Sequence, residues 1–430
     1  MKRILILIAV AAMLAGCQHK EHADLIIHNA KIYSVNNNFS VMQSAAICDG
    51  RFVAVSSDAI IKARYYSDNV VDMQGKYVFP AFIDSHSRFL DYAFSLADSV
   101  QGQLSESQKV ELLKKAEKRC FSMGISTVTD FGTSYNNVKL IDSLQQKGEL
   151  MLSVYAVLEP SAENISHYIS RMPYHTNKLK VISVGVNLDG GLASQEAVLL
   201  SPYTDNTNGR LLVSADSLER ICSMAYNNGF QMCVGCVGDS AARVALKTFA
   251  NILPRKNSAR WRVENLQMTS KHDLRLISHY NILPMVIPAN YADTREKLPS
   301  ILSKKQIRET FAWKKILGQN QGILCGINAP DEPINPMRTM YSAMRQEKQK
   351  LRNKQGQEMT SVQALKAMTI WAAYAQFDEE NKGSIEVGKN ADFIVTNENL
   401  TTMYKPYLPD VKIVSTYLCG QKVYDITQGE

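Results

Sequence analysis

The chain has 430 residues, 45% of them hydrophobic and 21% charged, with a formal charge of +7. That length suits one large folded unit with a small companion, and the composition excludes a disordered or collagen-like chain. The positive charge is spread out, with no basic run and no basic stretch interleaved with aromatics, which argues against a nucleic-acid partner.

The first residues read as a leader. Lys2 and Arg3 precede an apolar run from Ile4 to Leu14, followed by Ala15, Gly16 and Cys17. The run falls short of the roughly 20 residues a bilayer-spanning helix needs. Its L-A-G-C ending resembles a bacterial lipobox, which implies removal of residues 1–16 and acylation of Cys17. A plain signal peptide with a cysteine nearby is the competing reading. A lipid on Cys17 would tether a folded body to a membrane surface in the cell envelope, the outer membrane being the preferred side after Gln18. Cys48, Cys120, Cys222, Cys233, Cys236, Cys325 and Cys419 are scattered and odd in number. Most sit among Val, Ile and Leu and read as buried thiols, and the set does not read as a disulfide framework.

Residues 23–56 alternate as strands with a hairpin turn at Asp49-Gly50, and residues 391–424 answer with strands turning near Gly420. Strands confined to the two ends predict a small β-sandwich made from residues 17–79 and 383–430. Residues 80–382 lie between them. There, eight runs read as strands: 82–86, 125–130, 150–158, 181–187, 230–237, 260–264, 282–287 and 322–327. Helical patterns follow most of them. One begins with a capping box at Ser105 and Gln108, carries Leu112, Leu113, Ala116 and Cys120 on one face, and stops at Gly124. Others cover 214–228 and 239–253. Eight β/α repeats predict an α/β fold, a (β/α)8 TIM barrel.

Active groups in such a barrel sit at the carboxyl ends of the strands. The first of these ends is V-F-P-A-F-I-D-S-H-S-R-F, from Val78 to Phe89, where an apolar run gives way to Asp84, His86 and Arg88. It resembles the P-G-F-I-D-x-H-x-H motif of the metal-dependent amidohydrolases. N-L-D-G-G-L-A-S from Asn187, V-G-D-S-A-A-R from Val237, R-W-R-V-E-N-L-Q from Arg260 and A-P-D-E-P-I-N-P from Ala329 resemble the YtcJ-like branch, amidohydrolase family 3. G-S-I-E-V-G-K-N-A-D-F-I-V from Gly383 fits the same family. The resemblance implies hydrolysis of non-peptide C–N bonds, with hydroxide made on a bound Zn²⁺ or similar divalent metal.

Carried over position by position, the resemblance implies that most metal ligands are replaced. His86 is kept. Arg88 stands for the second histidine, Gly185 for the carboxylated lysine, Gly235 and Asn265 for the fifth- and sixth-strand histidines. Asn328 stands for the general-base aspartate and Asn290 for a substrate-side histidine. Glycine offers no ligand atom, and a carboxamide cannot abstract a proton. The substrate-covering insertion of YtcJ-like relatives is also missing between Phe89 and Gly124.

Arg88 is expected to turn into the emptied site and pair with Asp84, Asp130 or Asp189. Arg262 and Glu264 read as polar groups of the barrel mouth. Cys233-x-x-Cys236 is a weak metal motif, because the two residues face opposite sides of a strand. Asp239 reads as a helix N-cap. No G-x-S-x-G, P-loop or H-E-x-x-H is present. The expected function is a catalytically degenerate, amidohydrolase-like envelope lipoprotein that binds or scaffolds a small-molecule or protein partner, with no cofactor. The alternative is an active hydrolase with an atypical site and a divalent metal.

Overall fold

The computed structural model describes residues 20–97, 104–320, 322–345 and 356–428. The leader and Cys17 lie outside the described residues. Among those described, no helix is long and apolar enough to cross a membrane.

All eight central strands form, several of them shorter than the sequence suggests. They are β1 Phe82–Ile83, β2 Ile125–Thr133, β3 Ser153–Leu158, β4 Leu179–Asn187, β5 Gln231–Gly235, β6 Arg262–Glu264, β7 Leu283–Val286 and β8 Leu324–Cys325. They are parallel neighbours in chain order, from β1 to β8. The sheet curls so that its first and last strands meet. Asn328 N–H donates to His86 C=O at 2.7 Å, and Arg88 N–H donates to Ala329 C=O at 2.8 Å. This is a TIM-barrel-like α/β fold.

Strand periodicity sorts the side chains. Phe131, Tyr155, Val157 and Cys233 cluster inside the curl. Val128, Val154, Ala156, Val184, Val234 and Cys236 join the larger core under the helices. Cys233 and Cys236 therefore lie on opposite sides, as the pleat requires. The helix Glu106–Ser122 starts at the predicted Ser105–Gln108 capping box and buries Leu113, Ala116 and Cys120. The helix Asp239–Ile252 is capped by Gly238, not by Asp239. Asp239 instead accepts the Leu200 N–H at 2.9 Å and so holds the preceding loop.

The two ends of the chain build two larger further sheets, beside a two-stranded one of Glu21–His22 and Tyr65–Tyr66. One orders Gln421–Asp425, Ile413–Leu418, Phe393–Thr396, Tyr77–Pro80, Lys31–Tyr33 and Val41–Met42. The other orders Arg51–Ser56, Ser44–Cys48, Leu25–His28 and Val70–Asp72. They share a core of Leu25, Ile27, Ile47, Phe52, Val78, Phe393 and Tyr417. The hairpin at Asp49 and Gly50 has the predicted left-handed pair, φ 48° and 73°.

The apolar run from Val78 divides. Tyr77–Pro80 belongs to the terminal sheet, and only Phe82–Ile83 enters the barrel-like sheet. Ala81 N–H still donates to Asp392 C=O at 3.1 Å beside the terminal sheet, and Phe82 N–H donates to Gly124 C=O at 2.8 Å beside the barrel-like one, so the chain changes sheets at Ala81.

The amino-terminal end of the barrel-like sheet is plugged by the segment after helix Ile370–Ala375. Lys382 Nζ reaches Ser153 Oγ at 3.1 Å and Asp378 at 3.4 Å, and Lys180 pairs with Asp378 at 3.1 Å. Gln231 Nε2 donates to Ala375 C=O at 3.0 Å. Chemistry entering this fold is left with the opposite end.

Candidate functional site at the barrel mouth

The carboxyl end of β1 is organised by buried Asp84. Its carboxylate accepts the N–H groups of Ile327 at 2.9 Å and His86 at 3.1 Å, tying β1 to β8. Burial pushes its carboxyl above the usual range. His86 then projects inward. Its Nδ1 lies 3.0 Å from Glu264 Oε2, and its ring stands 4.9 Å from the ring of Phe131.

Glu264 is fully buried on β6 and touches two cations or potential cations. Arg262, two residues earlier on the same inward face, is also fully buried. Its Nε lies 2.6 Å from Glu264 Oε1, and its Nη2 donates to Ser85 C=O at 2.6 Å. The guanidinium stands 5.9 Å from the Tyr155 ring centre. Burial alone would raise the Glu264 pKa, but the Arg262 charge and the His86 contact outweigh it and hold the carboxyl below its usual range. An ionised carboxylate only accepts, so His86 donates from Nδ1; in the neutral imidazole Nε2 is then the acceptor.

Arg88 does not do what its position in the motif suggests. Its side chain is 45% exposed and pairs with Asp331 at 3.0 Å and with Asp91 at 3.6 Å. β1 has ended at Ile83, so strand parity no longer governs residue 88, and Arg88 has become the N-cap of helix Phe89–Ser95. The acids expected to meet it are engaged elsewhere. Asp130 accepts Leu90 N–H at 3.0 Å and the Thr133 hydroxyl at 2.7 Å, and burial pushes it up to about 6. Asp189 accepts the N–H groups of Val198, Val237 and Gly238 at 2.8–2.9 Å, and burial again raises it. The arginine inside is Arg262.

Gly185 and Gly235 are not empty niches. A Cβ on Gly185 would lie 2.6 Å from Val157 Cγ1 and 2.8 Å from Phe131 Cζ. A Cβ on Gly235 would collide with the Asn187 carboxamide. Asn265 accepts Asn290 Nδ2 at 2.9 Å and Gln267 Nε2 at 3.1 Å. Asn328 points its amide toward Asp331 at 3.5 Å. The mouth is thus rimmed by carboxamides, with the half-buried His86 among them.

The structure brings His86 and Glu264 together and leaves Arg88, Asp130 and Asp189 out of the group. Phe131, Tyr155 and Asn187 were not legible as site residues. Their signal lies in register: Tyr155 and Asn187 stand on strands beside ones that carry an inward glycine, and Phe131 reaches Gly185 across β3. Among the described residues, a group with metal-ligand dimensions, Asp24, Cys48 and Asp49, belongs to the terminal hairpin rather than the mouth.

The amidohydrolase family model (Amidohydro_3) matches residues 88–424, beginning just past His86. The chain belongs to the amidohydrolase family. A family relative, YtcJ of Bacillus subtilis (strain 168), which is named an amidohydrolase, is 27% identical over 248 residues, 55% of this chain and 46% of that protein. Protein LONG AFTER FAR-RED 3 of Arabidopsis thaliana is 22% identical over 356 residues, 78% of this chain and 60% of its own length. The chain therefore spans about half to three-fifths of these two relatives. An uncharacterized metal-dependent hydrolase from Pyrococcus horikoshii OT3 superposes with a TM-score of 0.79 at 18% identity, covering 89% of this chain and 99% of that one. A second, from Pyrococcus furiosus, gives 0.77 at 17% identity over 88% and 100%. At such identities the likeness speaks for the fold.

Proposed function

We propose that this chain is a catalytically degenerate amidohydrolase-family protein whose barrel mouth binds a ligand without a resident metal. We read the curled sheet as a full (β/α)8 barrel and the terminal sheets as its β-sandwich companion. The observation that carries this reading is the buried line His86–Glu264–Arg262. A catalytic zinc needs three protein ligands and an open position. Here one imidazole stands in the mouth, held through Nδ1 by Glu264, and a permanent positive charge stands on the other side of that carboxylate. The neighbouring donor positions are glycine or carboxamide, and the glycines are overlain by Phe131, Val157 and Asn187. These residues do not fit a divalent metal.

The test is the metal content of protein produced with supplemented zinc and dialysed against plain buffer. Well under one equivalent per chain is expected. A stoichiometric metal that survives dialysis would overturn the reading.

A second reading has one observation in its favour. A carboxylate-oriented imidazole with a free Nε2 is the arrangement of a general base, so the mouth is competent to activate water on a non-peptide C–N bond without a metal. A screen of amides and carbamates decides between the two. Turnover that disappears in His86→Gln supports the hydrolase; no turnover with any probe supports the binding protein.

For location we propose the bacterial cell envelope, with Cys17 acylated and the outer membrane as the preferred side. Labelling with a radioactive fatty acid, lost in Cys17→Ala, is the expected result.

A further inference from the structure

A cleft of about 1210 Å³ opens at the other end of the strands from the mouth. Its walls are the start of β7 at Leu283, the start of β8 at Leu324, helix Ile370–Ala375 and the loop at residues 36–38 from the terminal sheets. We propose that this cleft is a binding site for a neutral oligosaccharide.

Three observations point to that chemistry. The first is the aromatic floor. The indole of Trp371 lies flat enough over the Gly322 backbone that a Cβ there would sit 3.1 Å from two of its ring carbons. Trp371 remains half-buried, and Tyr374 is 42% exposed beside it. Arg260 packs 3.7 Å from the centre of the Tyr374 ring and steadies it. The electron-rich face of an aromatic ring attracts the polarised C–H groups of a sugar, while its edge keeps a hydrogen-bonding handle.

The second is the polar rim, rich in carboxamides: Asn37, Asn38, Asn281 and Gln319. A carboxamide both donates and accepts, which matches a hydroxyl that does the same.

The third is charge. Glu379 is bound bidentately by Arg260 at 2.6 and 2.9 Å, and Glu386 pairs with Lys389 at 3.3 Å. The other charged residues of the lining, Glu380 and Lys366, are opposite in sign. A near-neutral, polar, aromatic-floored cleft favours an uncharged polyol over an anion or a cationic peptide.

The chain supplies its own reporter. Of its three tryptophans, Trp261 and Trp313 are fully buried in the core, so only Trp371 stands where a ligand can reach it. Titrating the full chain with maltotriose and with chitotriose should shift and partly quench tryptophan emission in a saturable way with at least one of them. Calorimetry should give a matching Kd. Trp371→Ala should lose the emission change and weaken binding by about tenfold or more. Should that variant fail to fold, the rim double variant Asn37→Ala with Gln319→Ala, both away from the core, should weaken the same sugar several-fold. No saturable change with either sugar, or a response only to a charged peptide, overturns the proposal. The outcome is independent of the mouth, since none of these residues takes part in it.

Discussion

The interior of the barrel-like sheet and its rim each hold an arginine paired with a carboxylate, and the two pairs behave as different objects. Arg262 and Glu264 are wholly buried on one strand face; Arg88 and Asp331 are 45% and 60% exposed. In water a guanidinium and a carboxylate gain little by meeting, because solvent already satisfies both. Buried, neither charge is tolerable without the other. So the same chemical pair is structural in one place and decorative in the other, and the difference is burial alone.

The largest expected effect breaks the interior pair on one side. Glu264→Leu leaves Arg262 buried without its counter-charge, and a loss of about 3–5 kcal/mol in urea unfolding is expected. Adding Arg262→Met should return a large part of that loss. If the double variant is no more stable than the single one, Arg262 is not held by Glu264 in the way the distances indicate.

Next comes pH. The folded chain keeps the Asp130 proton up to about pH 6, against a usual value of 3.8. The stability from that raised pKa is whole below about pH 4 and is lost as pH climbs through 6, on the order of 3 kcal/mol in all. Asp130→Asn should flatten stability between pH 4 and pH 7, as read by thermal unfolding across that window. Glu264 works in the opposite sense. Its depressed pKa contributes stability above the unfolded value, and that share is lost as pH falls through the folded one. The wild-type profile should therefore fall off at both ends.

The smallest effect is at the rim. Arg88→Ala should cost about 0–1 kcal/mol, less still in high salt. A loss comparable to that of Glu264→Leu would erase the distinction between the two regions.

Much of this architecture is legible in the chain. The β-branched runs announce the eight strands, and Ser105 with Gln108 marks the start of its helix. The division of Val78–Phe89 at Ala81 falls within two residues of the boundary expected between residues 79 and 80. Arg88 misleads. Counting in twos from Asp84 and His86 assumes a strand, and that strand is already over at Ile83. That Gly185 and Gly235 offer no donor atom can be read directly. What fills the space around them cannot, because Phe131, Val157 and Asn187 arrive from β2, β3 and β4, whose register only the folded sheet reveals.

The ring of Phe131 has a consequence for anyone who wishes to rebuild a metal centre here. It lies tilted beside the His86 ring and overlies Gly185, so a lysine introduced at 185 meets an occupied volume before it meets a cation. A histidine at 235 likewise displaces Asn187 first. Donors restored one by one would each weaken packing and gain no ligand field in exchange. A zinc site here therefore needs space cleared on β2 and β4 before any donor is installed.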